Sequence, residues 1–179
     1  MNRVPITLLF LATWLAVFGQ TQFPTLGIPL DIRPALIVYA ALTHGMPTLL
    51  GIVVVSSLGT DALSANPIGI SLIPSFLPGV VLNLQRHLLL REQRFAQVWL
   101  GLSTGIAVPL LTWSLLQMET QPQPMGFNLL FRIVLLGILN AAACPAFFVL
   151  FDGLRDAFEY KPIAEMGFRS DREIKRGRT

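Results

Sequence analysis

Charged and apolar positions separate into long blocks along this chain. Five stretches contain no Asp, Glu, Lys or Arg: 4–30, 34–60, 62–85, 95–118 and 133–151, with lengths of 27, 27, 24, 24 and 19 residues. A helix needs roughly 20 apolar residues to cross the hydrocarbon core of a bilayer. Five such runs within 179 residues predict an all-α membrane protein.

The runs do not map one to one onto spans. The first is apolar only to Gly19 and then becomes Gln20-Thr21-Gln22-Phe23-Pro24, a loop composition, so the first span is expected at 4–19. A cleaved signal peptide is the rival reading, because Arg3 precedes the apolar stretch. Val17-Phe18-Gly19 is a poor match to the small-x-small cleavage pattern. The second run is interrupted by His44-Gly45-Met46-Pro47. Proline has no amide donor, and the residue before it avoids helical angles. That run is either one kinked span or two short helices, 32–44 and 46–60.

Positive charge chooses between these readings. The segment 152–179 carries Arg155, Lys161, Arg169, Arg172, Lys175, Arg176 and Arg178, which predicts a cytoplasmic tail. Segment 86–94 holds Arg86, Arg91 and Arg94 and is expected inside; segment 118–126 has no basic residue and is expected outside. Arg3 and the amino terminus favour an inside start. An even number of spans must then precede residue 86, so the 34–60 run contributes zero or two, and two short helices are the reading taken. The expected architecture is a six-helix transmembrane bundle over 1–151 with spans 4–19, 32–44, 46–60, 70–85, 95–117 and 127–151, and a charged cytoplasmic tail over 152–179. The two short helices reach only about 20–23 Å. Local thinning of the bilayer or burial within the bundle would accommodate them.

Composition excludes other classes. Hydrophobic residues make up 53% of the chain and charged residues 13%, and 13 of the 23 charges lie in the last 28 positions. Too few remain to solvate the surface of a water-soluble domain, and disorder needs the opposite balance. The single cysteine, Cys144, rules out an intrachain disulfide and reads as a small buried hydrophobe.

Small residues four apart mark close helix packing: Gly101 with Gly105, and Gly137 with Ala141. Asn83 and Asn140 are expected to make interhelical hydrogen bonds. Arg132 can snorkel to the outer interface. Pro109 and Pro145 can kink their helices where neighbours satisfy the freed carbonyls. His87, Arg91 and Arg94 follow i, i+4, i+7 spacing, a basic inner-surface face suited to anionic headgroups or simply a positive-inside loop.

Groups able to do chemistry are scarce. The two histidines, His44 and His87, stand apart from carboxylates and thiols at metal-ligand spacing. No HExxH, P-loop, GxGxxG or GxSxG pattern occurs. No catalytic, cofactor-binding or metal-binding residue is therefore assigned, and the chain is not expected to be an enzyme. Asp61 separates two charge-free runs, and a carboxylate at membrane depth demands an explanation. Its context, Leu58 to Gly69, is rich in turn formers. The expectation is a structured loop at one membrane face, with Asp61 bracing it through backbone amides or meeting a partner; Gly59, Pro67 and Gly69 belong to the same motif.

The order of these features carries a resemblance. Pro34-Ala-Leu-Ile-Val-Tyr-Ala-Ala-Leu opens a short apolar helix, a Gly-rich helix follows, then Leu58-Gly-Thr-Asp61, then Asn66-Pro67-Ile-Gly69 ahead of another span. This resembles the bacterial rod shape-determining protein MreD family, best over 30–85, with span count and size in agreement elsewhere. The resemblance implies a non-enzymatic component of the inner membrane that serves cell elongation and peptidoglycan synthesis. It implies association with the bitopic protein MreC, and through it with MreB and the RodA/transpeptidase synthases. It also implies a fold similar to the substrate-binding subunits of energy-coupling-factor transporters. No nucleic acid is expected as a partner; membrane lipids are. A substrate-binding membrane subunit of a vitamin-type transporter is the alternative, weakened by the shortage of polar groups to line a cavity.

Overall fold

The computed structural model describes residues 3–22, 31–64, 67–87, 93–118 and 126–158. They form six α-helices and, among the described residues, no strand: α1 (Arg3–Gln22), α2 (Arg33–Thr43), α3 (Met46–Leu63), α4 (Leu72–Gln85), α5 (Arg94–Met118) and α6 (Phe127–Phe158). Three of them, α3, α5 and α6, are long and apolar enough to cross a membrane. The outward surface is apolar too. Leu15, Trp14, Leu77, Phe131, Val134, Ile138 and Val149 are all exposed, a distribution suited to lipid.

The break at His44-Gly45 separates α2 from α3. His44 ends α2 in extended geometry, and Gly45 starts α3 with Pro47 in the first turn, where a missing amide costs nothing. Three expected boundaries differ. α1 runs on through Gln20 and Thr21 to Gln22, a stretch expected as loop, because polar side chains do not by themselves end a helix. α3 continues past residue 60, so Asp61 lies in its last turn rather than in the following loop. α6 continues past 151 to Phe158, so residues 152–158 are helical and the tail starts later. Asp61, Asp152, Arg155 and Asp156 do not break their helices, because a polar side chain near a helix end can bond or face outward while its backbone stays in the ladder. Residues 159–179, Arg91 and segment 119–125 lie outside the described residues.

The centre of the bundle is its shortest helix. Every residue of α2 from Arg33 to Leu42 is buried, and α2 touches each of the other five helices. A helix apolar on all sides has no preferred outer face, so burial on every side is its stable position. Tyr39 fills the middle, with ring centroids 5.0 Å from Phe148 and 4.9 Å from Phe151. At about 16 Å, α2 spans only about a third of α6, which is about 48 Å long. Asn140 meets the start of α2 and Asp152 meets Tyr39. The first halves of α6 and the last of α5 therefore run on past the start of α2 as a hairpin.

α5 and α6 make the largest contact in the fold. Gly101 and Gly105 lie directly against α6 at Asn140, and a Cβ at Gly101 would fall 2.4 Å from the Asn140 carbonyl oxygen. Gly137 faces Ile106 and Leu102 from the other side, and Ala141 is half-buried on α6. Cys144 is fully buried beside Gly101.

Candidate functional site: a polar girdle around a buried helix

A buried short helix poses a specific problem. Its first amides and last carbonyls have no intrahelical partner, and burial removes the water that would serve instead. Asn140 and Asp31 bond at the start of α2, and Asn83 and Arg86 at its finish.

At the start of α2, Asn140 of α6 accepts a hydrogen bond from the Ala35 amide at 3.1 Å and donates from Nδ2 to the Asp31 carbonyl at 2.7 Å. The same Nδ2 donates to the Leu136 carbonyl at 2.9 Å, so the amide is held on its own helix while it ties α2. Asp31 Oδ1 accepts from the Arg33 amide at 3.1 Å, a side-chain cap supplied from just before the helix. Arg33 then closes a two-pronged pair with the same carboxylate, Nε to Oδ1 at 2.9 Å and Nη2 to Oδ2 at 2.6 Å. Its Nη1 donates to Thr60 Oγ1 of α3, and Thr60 in turn donates to the Ser56 carbonyl at 2.7 Å. Arg33 is thereby anchored on two helices while only 9% exposed.

Asp61 lies one residue beyond Thr60 and is 1% exposed. Its Oδ2 accepts from the Gly69 amide at 2.8 Å and the Ser71 amide at 3.2 Å. Ser57 Oγ donates to the Ser71 carbonyl at 3.3 Å from the previous turn of α3. The α3–α4 connection is thus pinned to α3 at several points. Gly69 has φ +95°, the left-handed region that a side chain opposes. Pro67 is exposed at the head of this turn, and its carbonyl accepts from the Ile70 amide at 3.3 Å. Gly59 is half-buried, facing Val17 of α1. Asp61 Oδ1 is buried with no hydrogen-bond partner among the described residues. Asp31, Arg33 and Asp61 together hold two carboxylates and one guanidinium.

At the other end of α2, Asn83 of α4 donates to the Ala41 carbonyl at 2.8 Å and the His44 carbonyl at 3.3 Å. Arg86 Nη1 adds a longer bond to the His44 carbonyl at 3.4 Å. Tyr39 Oη donates to Asp152 Oδ1 at 3.3 Å. His87 and Arg94 are exposed at this end of α4 and the start of α5. Replacing Asn83 by alanine is expected to lower stability by about 1–2 kcal/mol, since the Ala41 carbonyl loses its outside partner while Arg86 still serves His44. Thermal unfolding of the purified chain in detergent reads this as a lowered midpoint.

Sequence reasoning singled out Asp61, Asn83 and Asn140 but passed over Asp31 and Arg33. A signal was present: these are the only charges between two charge-free runs of 27 residues. No group of three or more His, Cys, Asp or Glu able to hold a metal occurs among the described residues.

Comparison with protein-family models, curated proteins and solved structures gives no match for this chain.

Proposed function

We propose that this chain is a non-enzymatic scaffold of the bacterial inner membrane, an MreD-like component of the cell-elongation complex. In this reading it crosses the membrane six times with both termini in the cytoplasm. It supports an MreC-like bitopic protein, and through it MreB-like and RodA/transpeptidase proteins. The observation that carries the scaffold role is the use of the buried and half-buried polar side chains. Asn140, Asp31, Asn83 and Asp61 all bond to backbone at helix ends or turns. Such groups make a rigid body for other proteins to dock on. The identity of the complex rests on the resemblance over 30–85.

In this reading α6 sets the position of the bilayer. Arg132 is exposed and lies about 30 Å from Asp152 along α6, the thickness of a hydrocarbon core. Asn140 and the Arg33–Asp61 cluster then sit about 12 Å below the outer boundary. In oil, the bonds at the ends of α2 are obligatory.

The second reading, a membrane subunit that captures a small molecule, is favoured by one observation. Among the described residues, Asp61 Oδ1 is a buried acceptor without a hydrogen-bond partner, on a side chain that interacts electrostatically with Arg33. That is the arrangement a substrate with an N–H or O–H donor would complete.

Depletion separates the two. In the scaffold reading, rod-shaped cells lose the protein and become round, and the tagged chain recovers an MreC-like protein from gently solubilised membranes. Normal shape and normal wall insertion after depletion overturn it. Cysteine labelling checks the topology: residue 122 is expected to react from outside, and labelling from the cytoplasm overturns the six-span arrangement.

A further inference from the structure

Exposed cations collect at the end of the bundle where α2 and α4 finish and α5 begins. Arg86, His87 and Arg94 are all exposed. Arg86 uses one donor on the His44 carbonyl, which leaves the rest of its fork turned to the surroundings. Among the described residues, none of the three pairs with a carboxylate. The sequence supplies little to pair with: Glu92 is the sole acidic residue from Leu63 to Met118. α6 brings Asp152 to the same end, where Tyr39 donates to it, and Asp156 one turn beyond is exposed.

Aromatic side chains stand next to these cations. Phe95 is 73% exposed and Trp99 54%, with ring centroids 6.1 Å apart in an edge-on pair. They follow Arg94 on the first turns of α5. A tryptophan on an outward helix face beside exposed cations matches a membrane–water interface, with the ring at the glycerol level and the cations at the phosphates.

We propose that this end of the bundle binds the phosphate headgroup of an acidic phospholipid. Arg86, His87 and Arg94 supply the donors and charge, and Phe95 with Trp99 pack on the upper acyl chains. Arg86 gives the contact a structural consequence, because the guanidinium that meets the lipid also bonds the carbonyl of His44, the residue that caps the end of α2. The inference rests on the membrane reading and is independent of the role in cell elongation.

The test reconstitutes the full chain in phosphatidylcholine bilayers with trace spin-labelled phosphatidylglycerol or phosphatidylcholine. The fraction of each label immobilised at the protein surface is compared. Phosphatidylglycerol is expected to be preferred, with about fivefold lost for each arginine neutralised. The R86Q/R94Q double variant should lose most of the preference, and R86K/R94K should keep it. Neutralising Lys175, Arg176 and Arg178 should leave it unchanged. Equal immobilisation of the two lipids overturns the proposal, as does a preference that survives R86Q/R94Q or disappears with the tail charges. Loss of the preference to inorganic phosphate added at constant ionic strength overturns the lipid assignment in favour of a soluble anion. A chain that immobilises neither label refutes the membrane reading itself.

Discussion

Replacing Arg33 by alanine is expected to destabilise the chain by about 3–5 kcal/mol, the usual cost of breaking a buried ion pair from one side. The reason is what remains. Asp31 loses both guanidinium bonds, which stand at 2.9 and 2.6 Å. Thr60 loses its donor, and the cluster becomes two carboxylates with no cation. The start of α2 then sits beside uncompensated negative charge in a poorly solvated site. Unfolding in mixed micelles of mild detergent and dodecyl sulfate would measure the loss. The double variant Arg33→Ala/Asp31→Ala is expected to be less destabilised than Arg33→Ala alone, since the stranded carboxylate is removed with its partner. Equal stability of Arg33→Ala and the unsubstituted chain would show that the pair does not hold α2 in place.

The other large effect is expected at Gly101. A Cβ there would lie 2.4 Å from the Asn140 carbonyl oxygen, 2.7 Å from Cys144 Cβ and 3.0 Å from the Asn140 carbonyl carbon. Two of these three atoms are backbone, so no rotamer change on α6 relieves the contact. α5 must move away from α6, and the dispersion contacts of the closest helix pair in the bundle go with it. Gly101→Ala is therefore expected to cost about 3 kcal/mol, at the upper end for overpacking by one methyl group. The displacement also acts on Asn140, whose side chain caps α2. Gly137→Ala is the internal comparison. Its Cβ would meet Ile106 Cγ1 at 2.6 Å, a stiff β-branched side chain but not backbone, so a smaller loss is expected. The same unfolding assay ranks the two, and a Gly137→Ala loss equal to that of Gly101→Ala would contradict the close-contact argument.

Both variants act on features of different legibility. The GxxxG spacing at Gly101 and Gly105 is visible in the sequence, as is the likelihood that two helices meet there. Which helix they meet is not, because small-xxx-small spacing describes one surface and is silent about the other. Asp61 stands out as an isolated charge between apolar runs. Its placement in the last turn of α3 follows from backbone bonding that composition does not encode. Asp31 and Arg33 look like an ordinary charged pair in a loop, since i, i+2 spacing carries no helical or strand signature. Their importance depends on Thr60 and Asn140, 27 and 109 residues away from their respective partners.

Hydropathy blocks along the chain were enough to establish helices, their approximate number and the break at His44-Gly45, because oil-compatible helices need long runs without charge and prolines punctuate them locally. Tertiary structure alone decided that the shortest helix is the central one. Burial on every side, and the side chains that satisfy its two ends, come from contacts between segments far apart in sequence, and no local pattern can specify a partner it does not contain.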